Sequence, residues 1–120
     1  MIIGTHIILD MYNIKNSIFE KVSKQNYNLF DNFIENIIKD NGATLLNKNI
    51  HHFNDNGAFT ALYLLSESHL SIHTWPENNF IAIDIFTCGI ANTQNISNEL
   101  KNFFKPEYSD EKISIRGNKT

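Results

Sequence analysis

Residues 60–89, TALYLLSESHLSIHTWPENNFIAIDIFTCG, decide the fold of this chain. Two apolar, β-prone runs, His69 to Thr74 and Phe80 to Thr87, flank the turn Trp75-Pro76-Glu77-Asn78-Asn79. A third such run, Thr60 to Ser66, leads into the pair Glu67-Ser68. Strand alternation sorts the side chains by face. From Phe80 to Cys88, Ala82, Asp84, Phe86 and Cys88 share one face, and Ile81, Ile83 and Ile85 the other. His69, Ser71 and His73 lie opposite Leu70 and Ile72 in the same way. His73 and Cys88 therefore each occupy the more polar side of a strand, and hairpin-like pairing about residues 75–79 would bring those sides together.

Outward from this stretch, IIGTHIILDM (residues 2–11) is β-branched and reads as a buried strand. Ile18, Phe19 and Val22 suggest a short helix over residues 17–22. A longer helix from Asn28 to Asn41 places Leu29, Phe30, Phe33, Ile34, Ile37 and Ile38 on one face. Gly42 stops it, with Lys39 in the last turn. Residues 43–46 and 50–53 suggest a second strand, interrupted by Asn47-Lys48-Asn49. Asn54-Asp55-Asn56-Gly57 is a turn. Ile96, Leu100 and Phe103 mark another helix that ends before Pro106, and residues 112–116 (KISIR) form a last strand. The order β-α-β-β-β-β-α-β predicts an α+β fold. It is a two-layer sandwich, a mainly antiparallel sheet with two principal helices on one face, in a single domain over residues 1–120.

Composition narrows the function. The 120 residues carry a net charge of −3, and the ten Lys and Arg are scattered. Phosphate recognition needs a basic stripe, so a nucleic-acid partner is not expected. One cysteine excludes an internal disulfide framework. No apolar run reaches the ~20 residues of a membrane span, and the N-terminus lacks a basic region and cleavage site. The sequence predicts a cytoplasmic protein without a membrane partner.

The reactive side chains allow several chemistries. Cys88 and His73 could form a nucleophile pair, although no orienting acid stands out. Cys88 with His51, His52, His69 or His73 could hold zinc, but the spacings are irregular and only one thiol is available. Cys88 could equally be a small buried hydrophobe.

One resemblance absorbs these residues together. Glu67-Ser68-His69, Ile72-His73-Thr74-Trp75-Pro76-Glu77 and Ala82-Ile83-Asp84 with Phe86-Thr87-Cys88-Gly89 resemble the prokaryotic S-adenosylmethionine decarboxylase proenzymes. Gly4-Thr5-His6, Gly42-Ala43-Thr44, His51 with Phe53, and Arg116-Gly117 extend the likeness over almost the whole chain.

The resemblance implies an enzyme that makes its own cofactor, a covalent pyruvoyl (pyruvate) group derived from Ser68. The Ser68 hydroxyl attacks the Glu67 carbonyl and turns the amide into an ester. Loss of the Cα proton expels the ester oxygen, and the dehydroalanine hydrolyses to pyruvoyl and ammonia. The products would be a β chain, 1–67, and an α chain, 68–120. By similarity His73 moves protons during processing, as histidine can near neutral pH. Thr60 stands where the family has an assisting serine, keeping the hydroxyl and adding a methyl.

The pyruvoyl carbonyl would form a Schiff base with the substrate amine and act as electron sink while carbon dioxide leaves. Cys88 then returns a proton, for which a mostly protonated thiol is suited. The family likeness sets Phe53 against the adenine of S-adenosylmethionine and Glu77 on the ribose. It also implies a homodimer of processed αβ units with sites near the interface, supplying spermidine biosynthesis, and no metal. His6, His51, His69 and Asp84 receive no role. Arginine or ornithine decarboxylases on the same scaffold share the processing motif, so the substrate stays open at this point. A non-processing, ligand-binding homologue is the remaining alternative.

Overall fold

The computed structural model describes residues 2–117; residue 1 and residues 118–120 of the predicted 1–120 domain lie outside the described residues. The elements follow the predicted order. They are β1 (Gly4–Tyr12), α1 (Asn16–Lys21), α2 (Tyr27–Asp40), β2 (Leu45–His52), β3 (Phe59–Leu65) and β4 (Ser68–Trp75). A 3-10 turn (Pro76–Asn78), β5 (Phe80–Cys88), α3 (Thr93–Phe104) and β6 (Tyr108–Arg116) complete the chain. The six strands form one antiparallel sheet in the order β2-β3-β4-β5-β1-β6. The α+β sandwich expected from the sequence is the observed fold.

The helices lie against one face of the sheet. Ile7, Leu9 and Met11 of β1, with Ile81, Ile83 and Ile85 of β5, are fully buried there. Phe30, Ile34 and Ile38 of α2 and Ile96, Leu100 and Phe104 of α3 complete the same core. Each such side chain contributes roughly 1.5–3 kcal/mol by leaving water. Among the described residues no helix is long and apolar enough to cross a membrane.

Two local expectations differ from the structure. Leu29, assigned to the packed face of α2, is 79% exposed. The buried stripe is Tyr27, Phe30, Ile34, Ile37 and Ile38. Tyr27 joins it because its hydroxyl is 2.9 Å from that of Tyr63, which satisfies a polar group that burial would otherwise penalise. The polar triplet Asn47-Lys48-Asn49 does not interrupt β2. The strand runs through it with a register shift between Leu45 and Asn47. An edge strand tolerates such residues because solvent and α2 receive them; the Lys48 ammonium pairs with the carboxylates of Asp31 and Glu35.

The end of α2 is set by Gly42, at φ 87°. Its N–H donates to the Lys39 carbonyl (3.1 Å) and that of Ala43 to the Ile38 carbonyl (3.0 Å). This is a Schellman closure, and the left-handed position favours glycine.

Candidate active site: two half-sites on one sheet

Among the described residues, the opposite face of the sheet carries no helix. The strand register arranges its side chains in rows. His51, Thr60, His73, Ala82, Asp10 and Asp110 form one row across all six strands. Cys88 pairs with Gly4, and Gly4 with Arg116, near the other end of the sheet. His73 and Cys88 do share the polar side, as alternation predicts. The register nevertheless pairs His73 with Ala82, six residues before Cys88, so the two do not meet within one chain.

The first half-site is built where β3 turns into β4. Leu65 pairs with Ser68, which leaves Ser66-Glu67 as a two-residue loop. Its geometry requires a positive φ at Glu67, 57°, a region that costs a non-glycine residue about 1–2 kcal/mol. The Ser66 N–H donates to the Thr44 carbonyl (2.9 Å) and pins this loop to the start of β2. Ser68 is buried. Its Oγ accepts from the backbone N–H of Cys88 (3.2 Å) and lies 3.5 Å from Cys88 Sγ. The Cys88 thiol donates to the Glu67 carbonyl oxygen at 3.3 Å. Around them lies a cleft of about 230 Å³ walled by Gly42, Ala43 and Thr44 on one side and Gly89, Ile90 and Ala91 on the other.

This arrangement brings a hydroxyl to the carbonyl of the preceding residue while a thiol and a backbone N–H supply donors. A donor on a carbonyl oxygen stabilises the negative charge that develops there under attack. The left-handed Glu67 is a strained residue beside the bond that such chemistry would break.

The second half-site sits at the far end of β4. The Thr60 Oγ1 and His73 Nδ1 atoms are 3.2 Å apart, which fixes the ring; the tautomer decides which of the two donates. The His73 ring stacks on Trp75, with centroids 6.0 Å apart at 26°. Phe53 is 62% exposed, edge-on to His51 at 4.7 Å. Glu77 lies in the 3-10 turn. That turn ends on left-handed Asn79, whose side chain donates to the Ile14 carbonyl at 2.7 Å. Phe53, Thr60, His73, Trp75 and Glu77 line a common cleft of about 320 Å³.

Ser68, Glu67 and Cys88 thus come together, as do Thr60, His73, Phe53 and Glu77. The groups stay apart, since five extended residues span about 16 Å. The zinc set is not gathered either: among the described residues no three His, Cys, Asp or Glu side chains could hold a metal ion.

Sequence reading left His6 and Asp84 without a role. The structure pairs His6 Nε2 with Asp84 Oδ1 at 3.1 Å, on the same sheet face as Cys88. Alternation already placed Asp84, Phe86 and Cys88 together; the missing signal was that β1 would lie beside β5. The cleft-lining residues Ile90 and Ala91 were also overlooked, because a connection between elements carries no periodicity.

A family model described as S-adenosylmethionine decarboxylase matches residues 5–117. The chain is 38% identical over 116 residues to the S-adenosylmethionine decarboxylase proenzyme of Sulfurihydrogenibium sp. (strain YO3AOP1), covering 96% of this chain and 83% of the relative. It is 34% identical over 120 residues to that of Archaeoglobus fulgidus, covering 98% of this chain and 100% of the relative. The crystal structure of the adenosylmethionine decarboxylase from Aquifex aeolicus VF5 matches with a TM-score of 0.82 at 24% identity, over 99% of this chain and 94% of that one. That last likeness is one of fold.

Proposed function

The chain belongs to the S-adenosylmethionine decarboxylase family, and from that premise we propose a self-cleaving enzyme that decarboxylates S-adenosylmethionine. The observation that carries this reading is the convergence of Ser68 Oγ, Cys88 and the Glu67 carbonyl oxygen, with contacts of 3.2 to 3.5 Å. The arginine and ornithine alternatives have no comparable support in the relatives found, and an intact Glu67-Ser68 pair argues against a non-processing homologue.

In the processing step Ser68 Oγ attacks the Glu67 carbonyl carbon and the scissile C–N bond breaks, leaving an ester between the two residues. The Cys88 thiol, already donating to that carbonyl oxygen, stabilises the charge during attack. A base then removes the Ser68 Cα proton, and the Glu67 carboxylate departs from the β-carbon. Water replaces nitrogen and ammonia is released. The products are a β chain, 1–67, and an α chain, 68–120, whose first residue is the pyruvoyl group. Both remain in one sheet, because β3 and β4 stay paired through their ladder.

The residues around position 68 fit a pyruvoyl group: the cleft opens beside Ser68, and Cys88 lines it. Such a carbonyl supplies an electron sink for a substrate amine that is losing carbon dioxide. Cys88 is the proton donor to the substrate carbon, since it lines the same cleft as residue 68 at the end of β5. Phe53 offers an aromatic face for adenine or the sulfonium, the latter contact worth about 0.5–2 kcal/mol. Glu77 offers a carboxylate to the ribose hydroxyls.

The second half-site must still reach the first. We therefore propose a homodimer in which the bare sheet faces of two copies pack together, so that Thr60, His73, Phe53 and Glu77 of one copy complete the Ser68–Cys88 centre of the other. Exposed Ile8, Leu62, Leu64 and Trp75 on that face support the reading, since large apolar side chains exposed together mark an interaction surface.

Intact-mass spectrometry of denatured protein tests the processing. The expected result is two chains split after Glu67, the second lighter than its plain peptide by one ammonia, and a single chain in Ser68→Ala. A wild-type chain that stays whole on prolonged incubation overturns the reading.

A further inference from the structure

Asn41 lies outside both half-sites, yet it joins the two walls of the Ser68–Cys88 cleft. It is only 8% exposed and caps α2 at its C-terminus. Its carbonyl oxygen accepts from the N–H of Asn92 at 2.9 Å. Its side-chain Oδ1 accepts from Asn95 Nδ2 at 2.7 Å. Its Nδ2 donates to the Ile37 carbonyl at 2.7 Å and to Glu99 Oε2 at 2.9 Å.

These contacts permit one orientation of the amide. Turned over, Oδ1 would face the Ile37 and Glu99 oxygens, and Nδ2 would face another donor. Asn92 in turn caps α3 by accepting from the Asn95 N–H at 3.0 Å. The end of α2, the 89–92 connection and the first turns of α3 are thus locked around one side chain.

The location gives the lock its consequence. Gly42, Ala43 and Thr44 directly follow Asn41 and form one wall of the cleft, and Gly89 to Ala91 form the other. The walls stand close together: a Cβ added at Gly42 would lie 3.5 Å from Ala91 Cα. Thr44 also holds the Ser66–Glu67 loop. Cys88 is the last residue of β5, paired with Gly4 at the end of the β1–β5 ladder, and Ser68 is the first of β4, so the thiol lies where the β4–β5 pairing has already ended.

We infer that Asn41 is a positioning residue for Cys88, fixing the thiol against Ser68 and the Glu67 carbonyl by clamping the 89–92 connection to the end of α2. The inference rests on the reading of Ser68 and Cys88 as the processing and proton-donating groups.

The test uses the full chain with Asn41→Asp, which keeps the shape and the acceptor but turns an oxygen toward Glu99. The companion Asn41→Asp/Glu99→Gln returns a donor across that contact. Cys88 is the chain's only cysteine, so iodoacetamide labelling reads this thiol alone. Labelling is done on a Ser68→Ala background, where it does not depend on self-cleavage.

Losing a partly buried charge-assisted hydrogen bond predicts labelling about tenfold faster in Asn41→Asp, with cleavage of the Ser68 chain slowed about tenfold. The double variant regains the contact with residue 99 but not the one with the Ile37 carbonyl, and is expected to restore labelling and cleavage in part. Asn95→Ala removes one donor from an exposed side chain and reads the same clamp if Asn41→Asp does not fold. Unchanged labelling in Asn41→Asp, or in Asn95→Ala where that variant carries the test, overturns the inference. So does a double variant that folds but labels as fast as Asn41→Asp. A wild-type chain that never cuts, with labelling that still responds as expected, overturns the processing reading and leaves the clamp standing.

Discussion

At the residue scale, the hydroxyl of Thr60 carries more weight than its methyl. The oxygen is 3.2 Å from His73 Nδ1 and holds the ring in one orientation. Thr60→Val removes that partner, and self-cleavage is expected to slow about tenfold, the worth of one such hydrogen bond. Thr60→Ser keeps the hydroxyl and is expected to cut faster than Thr60→Val, as followed by the appearance of two chains on denaturing gels. His52 offers a different experiment. Its Nδ1 is buried with no hydrogen-bond partner among the described residues, and its ring packs against Tyr27 and Phe59. Burial first, then the charge of Lys24, lowers its pKa below the usual 6.5. A histidine shifted this way is neutral in both states above about pH 6.5, but below it the unfolded chain binds the proton more readily. Stability is therefore lost as pH falls through that range. His52→Phe, which has no proton to bind, is expected to flatten the melting temperature between pH 7 and pH 5.

At the scale of elements, the two helix anchors invite separate measurements. Gly42→Ala at φ 87° strains the close of α2, although a methyl meets only ordinary contacts there. The expected cost is about 1–2 kcal/mol, read from urea unfolding. Glu111 ties β6 to α3. Burial raises its pKa, but hydrogen bonds from Ser97, Lys101 and Gln94 outweigh this and leave it below the usual carboxylate value of 4.5. A depressed carboxylate contributes stability above about pH 4.5 and loses it as pH falls through its folded value. Glu111→Gln is expected to lower the melting temperature at pH 7 and to show a shallower loss on acidification to pH 3. These elements were legible in the sequence. The Phe30–Ile34–Ile37–Ile38 spacing and the alternation in β5 are local patterns, and a local pattern survives whatever the rest of the chain does. Leu29 marks the limit, because the width of a buried stripe depends on what packs against it.

At the scale of the whole molecule, the separated half-sites predict complementation between copies. A chain carrying Ser68→Ala lacks the residue proposed to become the pyruvoyl group, and one carrying His73→Ala lacks the histidine proposed for processing. Neither is expected to cut alone. Co-expressed, they are expected to form mixed dimers in which the His73→Ala chain borrows His73 from its partner and is cut, while the Ser68→Ala chain stays whole. Mass spectrometry distinguishes the two chains, and the absence of any cut chain in confirmed mixed dimers would rule out sharing between copies.

The sequence by itself determined which residues form strands and helices, and which strand face is apolar, because periodicity is carried by adjacent side chains. It also marked Glu67, Ser68, His73 and Cys88 through their likeness to a family. Only the tertiary structure decided which of them meet. Backbone hydrogen bonds are the same for every residue, so strand order and register come from packing the whole core. Placing β1 between β5 and β6 and His73 opposite Ala82 put Cys88 on Ser68 and left His73 at the far end of the sheet.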